Sequence, residues 1–157
     1  YFISQNALIV GIIIWWFSRI LDGLDGVLAR HAGKSSSFGS FLDISLDMLA
    51  YSFIIIGFSI SFSQLNSLWL FVLVGYVGCI TTALSFGQMS QEAIDQNDNR
   101  GLQMAMGLAE ATETGIAYTL FCLFPLYLEQ LVIAWIFILF ITILSRLFYA
   151  YLIYKRS

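Results

Sequence analysis

Four aspartates, Asp22, Asp25, Asp43 and Asp47, stand with Arg30 inside a 26-residue stretch of an otherwise apolar region. On a helix, Asp22 and Asp25 are three apart and share a face, and Ala29 falls on the same stripe. Gly39, Asp43 and Asp47 repeat every four residues and make a second stripe. So much negative charge in an apolar setting demands something positive between the carboxylates. Without it the four would repel one another and some would stay protonated. Hard oxygen donors favour Mg²⁺, Mn²⁺ or Ca²⁺ over zinc or copper. This number of carboxylates suits two ions a few ångströms apart, as in many phosphoryl-transfer sites.

The small residues fit a bulky ligand. Gly26, Ala29 and Gly39 remove side chains beside the acids, which lets a nucleotide or diphosphate approach the backbone. Arg30, one turn beyond the acids, is placed to hold a phosphate. Close helix packing of the small-xxx-small kind would account for the glycines and Ala29 equally well. It would not account for the aspartates, because acids inside a membrane are expensive.

The elements that must position these residues are membrane helices. Of 157 residues, 59% are hydrophobic and 11% charged, against about a quarter charged in a soluble domain. The apolar residues lie in long runs, which predicts one all-α domain over residues 1–157, a polytopic helical membrane bundle. Coarse spans fall at 5–29, 38–62, 67–87, 102–125 and 130–154, each near the roughly 20 residues that cross a bilayer. His31 to Ser37 turns the chain and offers serine caps. Ser63 to Ser67 separates the second and third spans, and Pro125 ends the fourth. Arg30, Lys34, Arg100, Lys155 and Arg156 all fall on one side, whereas connections 63–66 and 126–129 hold no basic residue. By the positive-inside rule the acidic motif faces the cytoplasm. Cys79 and Cys122 form no redox or zinc pattern and read as small hydrophobes. No basic stripe suggests nucleic acid.

The pattern D-x2-D-G-x2-A-R-x8-G-x3-D-x3-D resembles the signature of the CDP-alcohol phosphatidyltransferase family. Every fixed position is present: Asp22, Asp25, Gly26, Ala29, Arg30, Gly39, Asp43 and Asp47. The resemblance implies a metal-dependent enzyme of phospholipid biosynthesis in a lipid bilayer. Such an enzyme transfers a phosphatidyl group from CDP-diacylglycerol to the hydroxyl of a small alcohol and releases CMP. By motif position, Asp22, Asp25 and Asp43 would ligate Mg²⁺ or Mn²⁺, two ions in all, with Asp47 shared between metal binding and general-base duty. Gly26, Ala29, Arg30 and Gly39 would line the CDP pocket. The resemblance further implies a six-helix fold, of which five spans are visible here with the first expected to precede Tyr1. It also implies a homodimer and, with the charge bias, a bacterial inner membrane with the active site at its cytoplasmic face.

Outside the signature, Glu110 and Glu113 lie three apart in the cytoplasmic half of the fourth span and are candidates for acceptor binding. The alternative is an ion pair or interhelical hydrogen bond, with Arg146 as one partner. Arg146, about two turns from the end of the last span, is placed to hold an acceptor phosphate or to snorkel to the interface. Arg19 reads as a charge-balancing neighbour of the acids. Trp15, Trp16 and Tyr76 read as lipid-facing or interfacial aromatics. The few basic residues lean away from a phosphorylated acceptor, and two acids would welcome an amino-alcohol. Two rival functions compete with this reading. An intramembrane prenyltransferase would need a second aspartate cluster, which the chain lacks. A carboxylate-relay transporter would put its site near mid-bilayer, away from one membrane face.

Overall fold

The protein was examined as a computed structural model, which describes Ile3 and residues 7–31, 37–94 and 111–156. Within these helices only the backbone is described for residues 22, 25–27, 29, 30, 37, 40, 43, 87–94, 111, 153 and 156. The described residues form five α-helices: α1 (Leu8–His31), α2 (Ser37–Ser61), α3 (Asn66–Ile94), α4 (Ala111–Leu123) and α5 (Leu128–Arg156). There is no strand among the described residues. In lipid, a backbone must satisfy its own N–H and C=O groups, and consecutive apolar residues do so as helices.

Three helices are long and apolar enough to cross a membrane, through Ile44–Ser61, Ser63–Phe86 and Pro125–Leu152. In α1 the apolar part is the shorter Leu8–Leu21, because its other end carries the acids and Arg30. The third helix runs past the expected end at 87, and α4 is described only from Ala111, so the front of the expected 102–125 span, with Glu110, lies outside the described residues. The molecule is an all-α membrane bundle.

The two connections away from the acids are built alike. Phe62 and Phe124 leave their helices at φ −126°, ψ 59° and φ −124°, ψ 58°, and each leads into a single 3₁₀ turn. The Phe62 N–H donates to the Phe58 carbonyl at 2.8 Å, and the Phe124 N–H to the Leu120 carbonyl at 2.9 Å. Pro125 opens the second turn, where its missing N–H costs nothing.

Side-chain contacts give the helix directions. Trp15 on α1 packs against Tyr51 on α2, with ring centroids 5.5 Å apart. Four residues further along α1, Arg19 meets Asp47, four residues earlier on α2. The two helices are therefore antiparallel, and the Ser61 hydroxyl donating to the Ile3 carbonyl continues the register at the far end. Helices α3 and α5 run parallel and make the most extensive pair. A Cβ at Gly75 would lie 2.8 Å from Leu139 Cδ1, and one at Gly78 would lie 2.5 Å from Ile143 Cδ1. Close approach at small residues is how helices pack where no hydrophobic force separates core from lipid. Phe58, Val72, Val132 and Leu139 are fully buried, while Leu24, Phe53, Val77 and Leu144 face outward.

Two expectations are corrected here. Trp15 and Tyr76 do not face lipid but are 6% and 7% exposed, inside the core. Trp16 is partly buried, its indole N–H donating to the Thr119 hydroxyl at 2.9 Å. Helices α2, α3 and α5 are apolar on their core and lipid sides alike, so the pattern of these spans does not separate the two faces.

Candidate functional site

At the level of Trp15 an aromatic tier crosses the bundle. The Trp135 indole N–H donates to the Tyr76 hydroxyl at 3.1 Å, the Tyr76 hydroxyl to that of Tyr118 at 2.9 Å, and Tyr118 to the Tyr51 carbonyl at 3.3 Å. Trp15 caps the tier, its ring 5.5 Å from Tyr51 and 5.4 Å from Tyr118 between centroids. The Trp135 N–H and the Tyr76 and Tyr118 hydroxyls all donate, so four helices are tied together with no polar hydrogen of these three side chains left over.

Charged side chains occupy the next turn toward the acidic motif. Arg19 Nη1 donates to Asp47 Oδ1 across α1 and α2, with the two side chains 15% and 19% exposed. The Arg19 guanidinium also lies over the Trp15 ring, 4.9 Å from its centroid. Arg146, 8% exposed, reaches back along α5 to donate from Nη1 to the Cys79 carbonyl at 2.7 Å, three residues beyond Tyr76 on α3. Glu113 sits in the first turn of α4, five residues before Tyr118; its Oε2 is buried without a hydrogen-bond partner, and it forms no ion pair among the described residues. The pairing of Glu113 with Arg146 weighed from the sequence is not formed. Snorkelling of Arg146 to the interface is likewise not seen, since the guanidinium is anchored inward on a helix backbone.

Gly115 lets α1 close on α4. A Cβ there would fall 3.2 Å from Trp16 Cη2 and 3.5 Å from Trp15 Nε1. The glycine thus seats the tryptophan against which Arg19 rests. The Trp15 indole N–H is buried and has no partner.

The signature residues occupy the facing ends of α1 and α2. Asp22, Asp25, Gly26, Ala29 and Arg30 lie in the last ten residues of α1, and Gly39, exposed, is the third residue of α2. The 15–51 and 19–47 contacts extend by one more turn of about 3.6 residues toward the connection. That register sets the backbone position of Asp22 opposite residues 43 and 44. The side chains of Asp22, Asp25 and Asp43 lie outside the described residues. Among those described, no three potential metal ligands converge. Asp47 is the one acid of the motif whose surroundings are described, and its partner is a cation, Arg19. Asp22, Asp25, Asp43 and Asp47, carried by antiparallel neighbouring helices, are hard oxygen donors of the kind that a Mg²⁺- or Mn²⁺-type ion requires, and Arg19 pairs with Asp47.

Sequence reasoning did not single out Trp15, Tyr51, Tyr118 or Gly115 as parts of this site. The signal for Trp15 was present as an aromatic four residues before an arginine on one helix face. The tyrosines carry no such local signal, because their partners are on other helices.

Comparison with known proteins bears on the family of the chain. The chain is 36% identical over 132 residues to the inner membrane protein YnjF of Escherichia coli, covering 79% of this chain and 62% of that protein. It is 26% identical over 155 residues to an archaetidylinositol phosphate synthase of Methanothermobacter thermautotrophicus, covering 94% and 73%. A second archaetidylinositol phosphate synthase, from Pyrococcus horikoshii, is 44% identical over 59 residues, or 38% of this chain and 31% of the other. The chain thus spans less than two thirds of the length of the Escherichia coli relative. No solved structure matches it significantly. The sequence model headed CDP-alcohol phosphatidyltransferase matches residues 1–147, and with that match over nearly the whole chain the protein belongs to the CDP-alcohol phosphatidyltransferase family.

Proposed function

We propose that this protein transfers a phosphatidyl group from CDP-diacylglycerol to the hydroxyl of a small alcohol and releases CMP. The observation that carries the reading is the antiparallel register of α1 and α2, fixed by Trp15–Tyr51 and Arg19–Asp47. Extended by one turn, that register sets the backbone of Asp22 opposite residues 43 and 44, which supports a site shared by the two helices. Asp22, Asp25, Asp43 and Asp47 then hold one or two divalent ions, Mg²⁺ or Mn²⁺. When bound, such ions neutralise the diphosphate and stabilise the charge that grows on the leaving CMP.

The protein's own residues do the rest. Gly26, Ala29 and Gly39 leave room for the CDP moiety, and Arg30 holds one of its phosphates. The acceptor oxygen attacks the phosphorus that carries the lipid. The bond from that phosphorus to the bridging oxygen breaks, and CMP departs with the electron pair. Asp47 takes the proton of the acceptor hydroxyl as the new P–O bond forms. Glu110, Glu113 and Arg146 bind the acceptor from the α4 and α5 side.

A specific observation favours a phosphorylated acceptor over the amino-alcohol that the two glutamates suggest. Arg146 is buried and fixed on Cys79 within the charged tier, one turn above the tyrosines. A guanidinium there provides the planar donors that a phosphate uses. Two relatives carry the name archaetidylinositol phosphate synthase, a product with a phosphate on its headgroup. In this reading the motif lies at the cytoplasmic face of a bacterial inner membrane, with the basic residues flanking the acid-bearing ends, and the protein works as a homodimer.

The test is direct. Purified full-length protein is given CDP-diacylglycerol, Mn²⁺ or Mg²⁺ and a panel containing inositol phosphate, glycerol phosphate, inositol, serine and ethanolamine. CMP release with one acceptor supports the reading and names the substrate. No release with any of them overturns it.

A further inference from the structure

We infer that Arg19 is a positioning residue for Asp47, holding that carboxylate at a fixed rotation in the reaction; the inference rests on the transfer function proposed above. Arg19 lies outside the eight-residue signature, three residues before its first aspartate. Its Nη1 takes Oδ1 of Asp47 specifically, which anchors that oxygen on the α1 side and leaves the other to the reacting groups. Asp47 is the deepest acid of the motif and lies inside the apolar stretch Ile44–Ser61. A counter-charge at that depth is obligatory.

The guanidinium is itself immobilised. It rests on the Trp15 ring, and Trp15 is 6% exposed, packed against Tyr51 and Tyr118 and closed over by α4 at Gly115. A chain of contacts therefore runs from the rigid aromatic tier through Arg19 to one oxygen of Asp47. This is the relation by which an outer group orients a metal-ligating or basic side chain. Arginine suits this place better than lysine, because a guanidinium over the indole face offers several donors in one fixed plane, whereas an ammonium is a point charge. An ion pair that only clamps α1 to α2 would make no use of the stack.

The experiment compares the wild type with Arg19→Gln, Arg19→Lys, Asp47→Asn and the double variant Arg19→Gln/Asp47→Asn, in full-length protein. It measures CMP release, KM for CDP-diacylglycerol, Mn²⁺ affinity from the electron paramagnetic resonance of free Mn²⁺, and the unfolding temperature. Positioning predicts that Arg19→Gln lowers kcat by about 10–100-fold, with a loss of Mn²⁺ affinity where Asp47 ligates the ion, while KM for CDP-diacylglycerol stays within about threefold. Arg19→Lys regains only part of the loss. The double variant is no slower than Asp47→Asn alone, since Arg19 acts only through Asp47.

Unchanged kcat in Arg19→Gln overturns the assignment. So does a fall in kcat that is accounted for by a lower unfolding temperature, or a double variant in which the two losses multiply. If Arg19→Gln does not fold, Arg19→Lys carries the comparison, and full kcat in that variant overturns the assignment. A wild type that releases no CMP overturns the transfer function and this inference together; an active wild type with indifferent Arg19 variants overturns this one alone.

Discussion

The Tyr76 hydroxyl donates to the Tyr118 hydroxyl at 2.9 Å in the middle of the bundle, between a helix that starts at Asn66 and one that ends at Leu123. Both rings are almost wholly buried. Because Trp135 donates into this pair and the Tyr51 carbonyl accepts out of it, the four helices α2 to α5 meet at one depth. The charged tier of Arg19, Asp47, Glu113 and Arg146 stands one turn above. The tier of tyrosines is thus the floor on which the polar end of the bundle is levelled.

Removing one hydroxyl from that floor strands its neighbour. Tyr118→Phe takes away the bond to the Tyr51 carbonyl and leaves the Tyr76 O–H without its acceptor in a dry interior. The expected cost is about 1–3 kcal/mol. It is read as a lower unfolding temperature in detergent, with helix content unchanged by circular dichroism. Tyr76→Phe/Tyr118→Phe is expected to cost less than the two single changes added together, because they share one bond.

The two glycines beneath α5 differ in what they tolerate. At Gly78 an added Cβ meets the far end of Ile143, whose Cδ1 swings away easily. At Gly75 it meets Leu139 Cδ1 at 2.8 Å and also its Cβ at 3.1 Å, which cannot move without the helix. Alanine gains about 1 kcal/mol of helix propensity over glycine at either position. Gly78→Ala is therefore expected to be close to neutral. Gly75→Ala is expected to be destabilising, since overpacking costs about 1–3 kcal/mol. Thermal unfolding of the two variants side by side checks the order.

The family of this protein was more legible in its sequence than its packing. Asp22 to Asp47 announce themselves because carboxylates in an apolar run need a cation whatever the fold. The five helices follow from run length, and the ends of α2 and α5 fall within two residues of expectation. Arg19 could be recognised as charge balance but not assigned to Asp47, because the pairing depends on a helix register that no local pattern carries. Tyr76 and Trp15 were misplaced for a related reason. In a membrane helix the core face and the lipid face are equally apolar, so periodicity does not sort them. The small residues Gly75, Gly78 and Gly115 hold what periodicity lacks, since each marks where another helix comes close.

Asp43 tests the metal site with the least disturbance of shape. Asp43→Asn removes a ligand charge and almost no volume. Turnover is expected to fall by about 100-fold or more, the several kcal/mol that a bound ion supplies to a developing charge. Unfolding temperature should stay near the wild-type value. Chelation of the wild type should stop CMP release, and added Mn²⁺ or Mg²⁺ should restore it. Full activity of Asp43→Asn, or of chelated enzyme, would remove the metal from the reading.

Arg146 separates the two kinds of acceptor. Its guanidinium is held by the Cys79 carbonyl, so Arg146→Lys keeps the charge but loses the planar fork and shifts the cation along α5. With a phosphorylated acceptor, KM for the acceptor should rise by about tenfold, as expected when one charge-assisted hydrogen bond to a phosphate is lost. KM for CDP-diacylglycerol should not move. With an amino-alcohol, Arg146→Lys should leave the acceptor KM unchanged, and Glu113→Gln should raise it instead. Measuring both variants against both acceptors assigns the headgroup end of the site to α5 or to α4, because each variant changes one helix only.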